Sequence, residues 1–281
     1  MKRDIICSMN PIVVDGKKIA RLIIENLKEK PTPQGFLALF LSPQDGAAQS
    51  FIKKKEQVAQ ELGIEVRKYA VSEIDTNDSL RERVQKISAK KRCIGVVLQL
   101  PLPTGCDVSY IANAIPPRKD IDCLGAQNLG KFLQGKEIVI PPAVRVVQHI
   151  YETYKKDICM SASAIVVGQG KLIGRPISTW LTGKISSLAV VDKGFSQEDI
   201  KKNNLVILGT GVGKLITGKD ICQGGWVIDF GYKRTEEGKL IGDFDYMHDP
   251  IDHVALYTPT PGGTGPILVA SLFENIFSSS L

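Results

Sequence analysis

The sequence lacks every cysteine pattern that would make disulfides or zinc its scaffold. Its six cysteines, Cys7, Cys93, Cys106, Cys123, Cys159 and Cys222, include no CxxC pair, and the nearest two are 13 residues apart. They read as reduced thiols in a reducing compartment, and the expected location is the cytoplasm. Histidine is scarce. His149, His248 and His253 complete no metal-ligand spacing with the cysteines, so no metal site is expected. Long apolar runs are missing: none reaches the ~20 residues of a membrane span. Met1 to Asn10 carries charge without an apolar stretch, so neither a signal peptide nor a membrane partner is expected. There is no internal repeat and no low-complexity tract. Neither sign of charge dominates. The 36 Lys and Arg against 30 Asp and Glu leave +6 over 281 residues. That is too dilute for nucleic acid but compatible with a small polyanion such as a dinucleotide.

What is present is an ordinary globular composition, 43% hydrophobic and 23% charged, long enough to bury a sizeable core in one large domain or two modest ones. Helical periodicity alternates with short β-branched runs, which predicts an α/β fold. In the first half, helices are expected at 15–29, 46–62 and 76–89, with Gly63 closing the second. Strands are expected at 35–41, 64–66 and 94–100, the last ending on Pro101. A proline-rich junction follows, with Pro116-Pro117 and Pro141-Pro142. The expected boundary places one domain at 1–142 and a Rossmann-type dinucleotide domain at 143–264. In the latter, helices are expected at 143–154 and 174–182, and strands at 164–167, 188–191, 205–208 and 226–229. An apolar helical segment, 265–281, closes the chain.

Four constellations have the residue types for chemistry. Gly168-Gln169-Gly170-Lys171-Leu172-Ile173-Gly174 follows a strand and opens a helix, with Asp192 at the end of the next strand, 24 residues beyond Gly168. Glycines let backbone approach a pyrophosphate, the helix N-terminus favours anions, and an acid near that offset accepts from a ribose hydroxyl. The spacing, G-x-G-x-x-x-G, is one residue longer than the standard fingerprint, but in this context dinucleotide binding is the preferred reading. Phe51 and Lys55 share a helix face at i, i+4, which suits a flat heteroaromatic substrate beside an amine. Read alone, they fit a core Phe and a solvated Lys better. Gln99, at the carboxyl end of its strand before Leu100-Pro101-Leu102-Pro103, fits a ligand contact and a loop hydrogen bond equally. Lys119-Asp120-Ile121-Asp122 reads alone as a solvated turn.

Together with Trp226-Val227-Ile228-Asp229-Phe230-Gly231 and Thr258-Pro259-Thr260-Pro261-Gly262-Gly263-Thr264-Gly265-Pro266, these segments occur in an order that resembles the bifunctional methylenetetrahydrofolate dehydrogenase/cyclohydrolase family. The resemblance implies two α/β domains with the active site in the cleft between them, and a C-terminal helix that packs back on the first domain. It implies oxidation of 5,10-methylenetetrahydrofolate with a nicotinamide nucleotide, then hydrolysis of the methenyl product to 10-formyltetrahydrofolate. Lys55, Gln99 and Asp122 match the family's catalytic positions. Phe51, Pro101, Pro261, Gly262 and Gly263 match its substrate-binding positions. Gly168, Gln169, Gly170, Lys171, Gly174, Asp192, Lys193, Gly209, Thr210 and Gly211 fall at the cofactor. A homodimer through the nucleotide domain is also implied.

The chain departs from the family pattern at several places. Phe51 stands for the tyrosine, Ala48 for a serine, Ile140-Pro141 for Cys-Thr, and Cys123 for a glycine. The family default cofactor is NADP. Gln169 replaces its arginine and Asp192-Lys193 its His-Ser; the lost arginine and the gained acid weaken the preference for NADP and favour NAD, because a carboxylate repels a 2′-phosphate, while Lys193 works in the opposite direction. The alternatives are a dehydrogenase with impaired cyclohydrolase, a dehydrogenase of the same architecture for another small substrate, and a non-catalytic folate- or nucleotide-binding paralogue.

Overall fold

The computed structural model describes residues 10–42, 46–155 and 163–279, without the side chains of 46–48. Cys7, Cys159 and the Ala48 side chain therefore lie outside the described residues. The elements run β1 (Ile12–Val13), α1 (Gly16–Lys28), β2 (Phe36–Leu41), α2 (Gly46–Glu61), β3 (Glu65–Ala70), α3 (Asn77–Ser88), β4 (Cys93–Gln99), α4 (Val108–Ala112), α5 (Ala126–Leu133) and α6 (Pro142–Tyr154). They continue with β5 (Ser163–Val167), α7 (Gly174–Leu181), β6 (Ser187–Val191), α8 (Gln197–Lys201), β7 (Leu205–Leu208), β8 (Ile216–Thr217) and β9 (Trp226–Asp229). Last come β10 (Lys233–Arg234), β11 (Leu240–Ile241), β12 (Phe244–Asp245), β13 (Leu256–Tyr257) and α9 (Thr264–Ser279).

The chain divides into two compact units, and neither is one continuous stretch. One comprises Lys18–Val146 with Pro266–Leu281, the other Met1–Lys17 with Val147–Gly265. Residues 10–17, expected with the first domain, thus group with the second. The reason is β1, which pairs parallel with β13, Ile12 N donating to Ala255 O at 2.9 Å. A two-residue strand leaves no periodicity to detect, so only its partner reveals it.

The first unit is built on a parallel sheet in the order β3-β2-β4. β2 is apolar throughout and nearly all buried, as a parallel strand covered on both faces must be. Gly63, at φ 70°, ends α2 in the left-handed region where a Cβ is disfavoured. The strand expected at 64–66 runs on to Ala70, its Tyr69 ring stacked on Phe40 at 5.1 Å. Alternating exposure of Arg67 and Lys68 hides that extension from a search for apolar runs.

The second unit holds a six-stranded parallel sheet in the order β1-β13-β9-β7-β5-β6. Ile165, Val167, Val206, Leu208 and Val227 fill its core, all essentially unexposed. From β5 the chain crosses first to β6 on one side and then to β7 on the other. The carboxyl ends of β5 and β7 therefore flank the switch point where such sheets bind ligands. Among the described residues no helix is long and apolar enough to cross a membrane, and no group of His, Cys, Asp or Glu is arranged to hold a metal.

Candidate functional site

In the first unit, α2 carries Lys55 inward. The side chain is only 8% exposed, and its Nζ donates to Gln99 Oε1, at the end of β4, at 2.9 Å. Gln99 Nε2 in turn donates to Leu100 O at 3.2 Å, ahead of the cis Leu100–Pro101 bond. Ser42 Oγ donates to Pro101 O at 2.7 Å, tying the ends of β2 and β4 together. Burial lowers the Lys55 pKa, and the negative charge of Asp122 only partly opposes it. A buried amine whose neutral form is favoured is equipped to take a proton. Phe51, one turn earlier on α2, is half-buried, with Lys54 Nζ 5.7 Å from its ring centroid.

The two acids of the 120–122 loop play different parts. Asp120 is buried and spends its carboxylate on the chain. Its oxygens accept from Leu124 N at 3.0 Å, Gly125 N at 2.9 Å and Asn128 Nδ2 at 3.0 Å, which pins the turn ahead of α5. Asp122 faces the lysine electrostatically. Burial raises its pKa to about 6, against the pull of Lys55 and with the push of Asp120. Directly after Asp122, Cys123 adopts φ 56°, where a glycine carries no steric penalty and any other residue does. Its thiol is buried, and burial pushes its pKa up. Asn275 of α9, fully buried, steadies this loop from behind: Nδ2 donates to Ile121 O at 2.8 Å and Ile140 O at 2.7 Å.

In the second unit, the turn after β5 is shaped by close backbone approach. A Cβ on Gly174 would lie 1.7 Å from Gly168 O, and one on Gly168 would lie 2.7 Å from Gly209 O. The Gly168 turn and the Gly209-Thr210-Gly211 loop, 41 residues apart in sequence, thus meet at the switch point. A Cβ at Gly170 would meet nothing within 4 Å, so open space lies over the turn at the N-terminus of α7. That is a cradle of the kind a pyrophosphate fills. Arg175 Nε donates to Gln169 O at 2.9 Å, and Gln169 N donates to the exposed Asp192 at 3.4 Å. Lys171 and Lys193 are exposed beside it.

The same unit carries the loop from Thr258 to Thr264. It contains a cis Thr260–Pro261 bond and Gly262 at φ 108°. Gly263 N donates to Pro259 O at 2.8 Å, and a Cβ on Gly16 would lie 1.7 Å from Gly263 O. Two buried acids nearby were not among the expected site residues. Asp229 accepts from Gly231 N at 2.6 Å and Phe244 N at 3.0 Å. Burial and the neighbouring Asp243 raise its pKa to about 7. Asp243 collects the amides of Thr210, Gly211 and Gly213. One acid of the pair in Gly242-Asp243-Phe244-Asp245 has no sequence signature that sets it apart.

Two family models match the chain: the tetrahydrofolate dehydrogenase/cyclohydrolase catalytic domain over residues 14–122, and the NAD(P)-binding domain of the same description over 141–281. A bifunctional FolD protein from Nautilia profundicola is 32% identical, with 94% of this chain and 95% of that protein covered. The crystal structure of the bifunctional FolD methylenetetrahydrofolate dehydrogenase/cyclohydrolase from Campylobacter jejuni superposes with a TM-score of 0.88 at 27% identity, covering 96% of this chain and 99% of that one. The Trypanosoma brucei enzyme, crystallised with NADP and an inhibitor, gives a TM-score of 0.87 at 24% identity over 97% and 98% of the two chains, a likeness of fold.

Proposed function

Because the chain belongs to the tetrahydrofolate dehydrogenase/cyclohydrolase family, we infer that it oxidises 5,10-methylenetetrahydrofolate with a nicotinamide nucleotide and hydrolyses the product to 10-formyltetrahydrofolate. The observation that carries the hydrolytic half is the buried Lys55 amine, held on Gln99 Oε1 in the field of Asp122. Phe51 stacks on the folate, Asp122 accepts from pterin N–H groups, and Gln99 orients the amine. Neutral Lys55 takes a proton from the water that attacks the methenyl carbon. The cyclic C–N bond then opens to the formyl group. The nucleotide, when bound, supplies the hydride acceptor. The turn at Gly168, Gln169, Gly170, Lys171 and Gly174 holds its phosphates, while Gly209, Thr210 and Gly211 border the rest. Pro101, Pro261, Gly262 and Gly263 border the folate. Hydride transfer needs positioning more than acid or base, because folate nitrogens stabilise the departing carbon.

A spectrophotometric assay with methylenetetrahydrofolate, following reduced nucleotide and methenyl product separately, tests this. Reduction without persistent methenyl product is expected. Accumulating methenyl product would mark a dehydrogenase with a failed cyclohydrolase. No reduction with either nucleotide would overturn the enzymatic reading.

Asp122 sets a pH signature. Its raised pKa, about 6, means that the accepting carboxylate is present above pH 6 and is lost as pH falls through it. The KM for methenyltetrahydrofolate is expected to rise by roughly tenfold per unit below that point. A KM that is flat from pH 7 to 5 would remove Asp122 from substrate binding.

The family's preference for NADP is weakened here in favour of NAD. The carboxylate of Asp192 lies at the turn, within 3.4 Å of Gln169 N, where a 2′-phosphate would be repelled. In the double variant Gln169→Arg/Asp192→Ser, the ratio of kcat/KM for NADP over NAD is expected to rise by about tenfold or more. A wild-type ratio strongly favouring NADP would overturn the assignment. The protein is a homodimer through the nucleotide unit. Among the described residues β6 is the last strand at one edge of the sheet, with Val190 39% exposed, and edge-to-edge pairing would cover it. Light scattering on the purified protein reads this directly. The unpaired thiols Cys93, Cys106, Cys123 and Cys222 suit the reducing cytoplasm.

A further inference from the structure

The glycine-rich loop after β7 has the composition of a phosphate cradle, but its amides are already used. Asp243, fully buried, accepts on Oδ2 from Thr210 N at 2.8 Å, Thr210 Oγ1 at 2.9 Å and Gly211 N at 3.0 Å. Its Oδ1 accepts from Gly213 N at 2.9 Å. The remaining amide, Val212 N, donates to Thr210 Oγ1 at 3.2 Å. Every N–H from 210 to 213 therefore points at a group of the protein. Backbone amides that converge on one carboxylate form the kind of nest that otherwise binds an anion, and charge-assisted bonds of this type are the strong ones. Gly211 at φ 69° and Gly213 at φ 81° supply the backbone turns that make the convergence possible.

The anchor is itself held. Asp229, at the end of β9, accepts from Phe244 N, the amide of the peptide bond that joins Asp243 to Phe244. Leu215 N donates to Asp243 O at 2.6 Å. The carboxylate is thereby fixed relative to both β7 and β9, the two strands whose ends surround the loop.

We propose that Asp243 is a positioning residue for the nicotinamide nucleotide. It acts as a built-in anion that occupies the 210–213 nest, so the amides of this loop are closed to phosphate and the loop meets the nucleotide through its carbonyl and Cα edges at the ribose and ring. The proposal rests on the reading of Gly209, Thr210 and Gly211 as nucleotide contacts. It adds a role for Asp243 that the glycine pattern by itself does not contain, since the amides of the 210–213 loop are taken by a carboxylate 30 and more positions away in sequence.

The test uses the full-length protein and its two activities. In Asp243→Asn the side-chain NH2 faces amide donors where an oxygen accepted, so the loop is released. The KM for the oxidised nucleotide is expected to rise about tenfold or more, as misplacement of a binding loop costs. Hydrolysis of supplied methenyltetrahydrofolate, which needs no nucleotide, is expected to stay within about twofold. An unchanged nucleotide KM in a variant that retains hydrolysis overturns the proposal. Should the variant lose both activities, amide exchange of the wild-type protein decides. The amides of Thr210, Gly211, Val212 and Gly213 are expected to be protected without ligand and unaffected by inorganic pyrophosphate. Pyrophosphate is expected to slow exchange in the 168–174 turn. Free exchange at 210–213, or protection there by pyrophosphate, overturns the anchor. If saturating NAD perturbs neither segment, the nucleotide-site reading fails instead, and the anchor is judged on ligand-free protection alone.

Discussion

In Lys55→Met, hydrolysis of methenyltetrahydrofolate is expected to fall by at least ~10²-fold, the usual contribution of a positioned general base. Oxidation of methylenetetrahydrofolate should fall far less, so the methenyl product accumulates during the dehydrogenase reaction. The asymmetry follows from the chemistry: hydration needs a proton acceptor beside the attacking water, and hydride departure does not. It also follows from the environment, because burial favours the neutral amine at Lys55, and Met keeps the shape without the base. The protein should fold. Met removes an amine that is costly to charge in a buried setting and leaves Gln99 Oε1 short of one donor. Lys55→Arg should fail as well, because a guanidinium stays protonated at working pH. Hydrolysis in Lys55→Met at a rate close to wild type would remove the lysine from the mechanism and leave Gln99 and Asp122 to account for it.

In Asn275→Leu, the first unit is expected to lose roughly 3–6 kcal/mol of stability, because several buried partners are orphaned at about 1–3 kcal/mol each. The amide uses both ends. Nδ2 donates to Ile121 O and Ile140 O, while Oδ1 accepts from Ile140 N at 3.2 Å and Arg145 Nε at 3.1 Å. Leucine matches the volume and satisfies none of the four. The thermal midpoint of that unit should fall by on the order of 10 °C, read by calorimetry. Ile121 precedes Asp122, so the folate KM of the surviving folded protein should rise too. Asn275→Asp, which keeps an acceptor but loses the donor, should fall between the variant and the wild type. A midpoint for Asn275→Leu within about 2 °C of wild type would show that these bonds contribute little beyond water.

Much of the scaffold was open to a reading of the residues. β2, β4, β5, β7 and β9 are apolar runs bounded by glycine, proline or polar residues, and period and punctuation are enough to find them. The turn from Gly168 to Gly174 was legible for the same reason, since strand, glycines and helix are contiguous. The short strand β1, the helices α4 and α5, and β13 were not, because two to eight residues with mixed polarity carry no usable period. α5 follows a turn where Asp120 captures two amides, a contact that local sequence does not announce.

The candidate site divides in the same way. Taken as residue types, Lys55 and Gln99 fitted a solvated lysine run and a strand-end glutamine as well as anything else, and only family resemblance gave them roles. They lie 44 positions apart, and the 2.9 Å bond between them exists because parallel pairing sets β4 beside β2 and α2 returns over that sheet. Asn275 reaches Ile121 across 154 positions, and Asp243 reaches Thr210 across 33. The sequence alone determined the class of fold, the glycine-rich turn after β5 and the supply of chemical groups, because each depends on neighbours within a turn or a strand. Tertiary structure decided which acid faces the lysine, which carboxylate takes the amides of the 210–213 loop, and which ends of the chain join which unit. Those outcomes are hydrogen bonds and strand pairings between distant segments, and their energy depends on burial and geometry that appear only when the chain is packed.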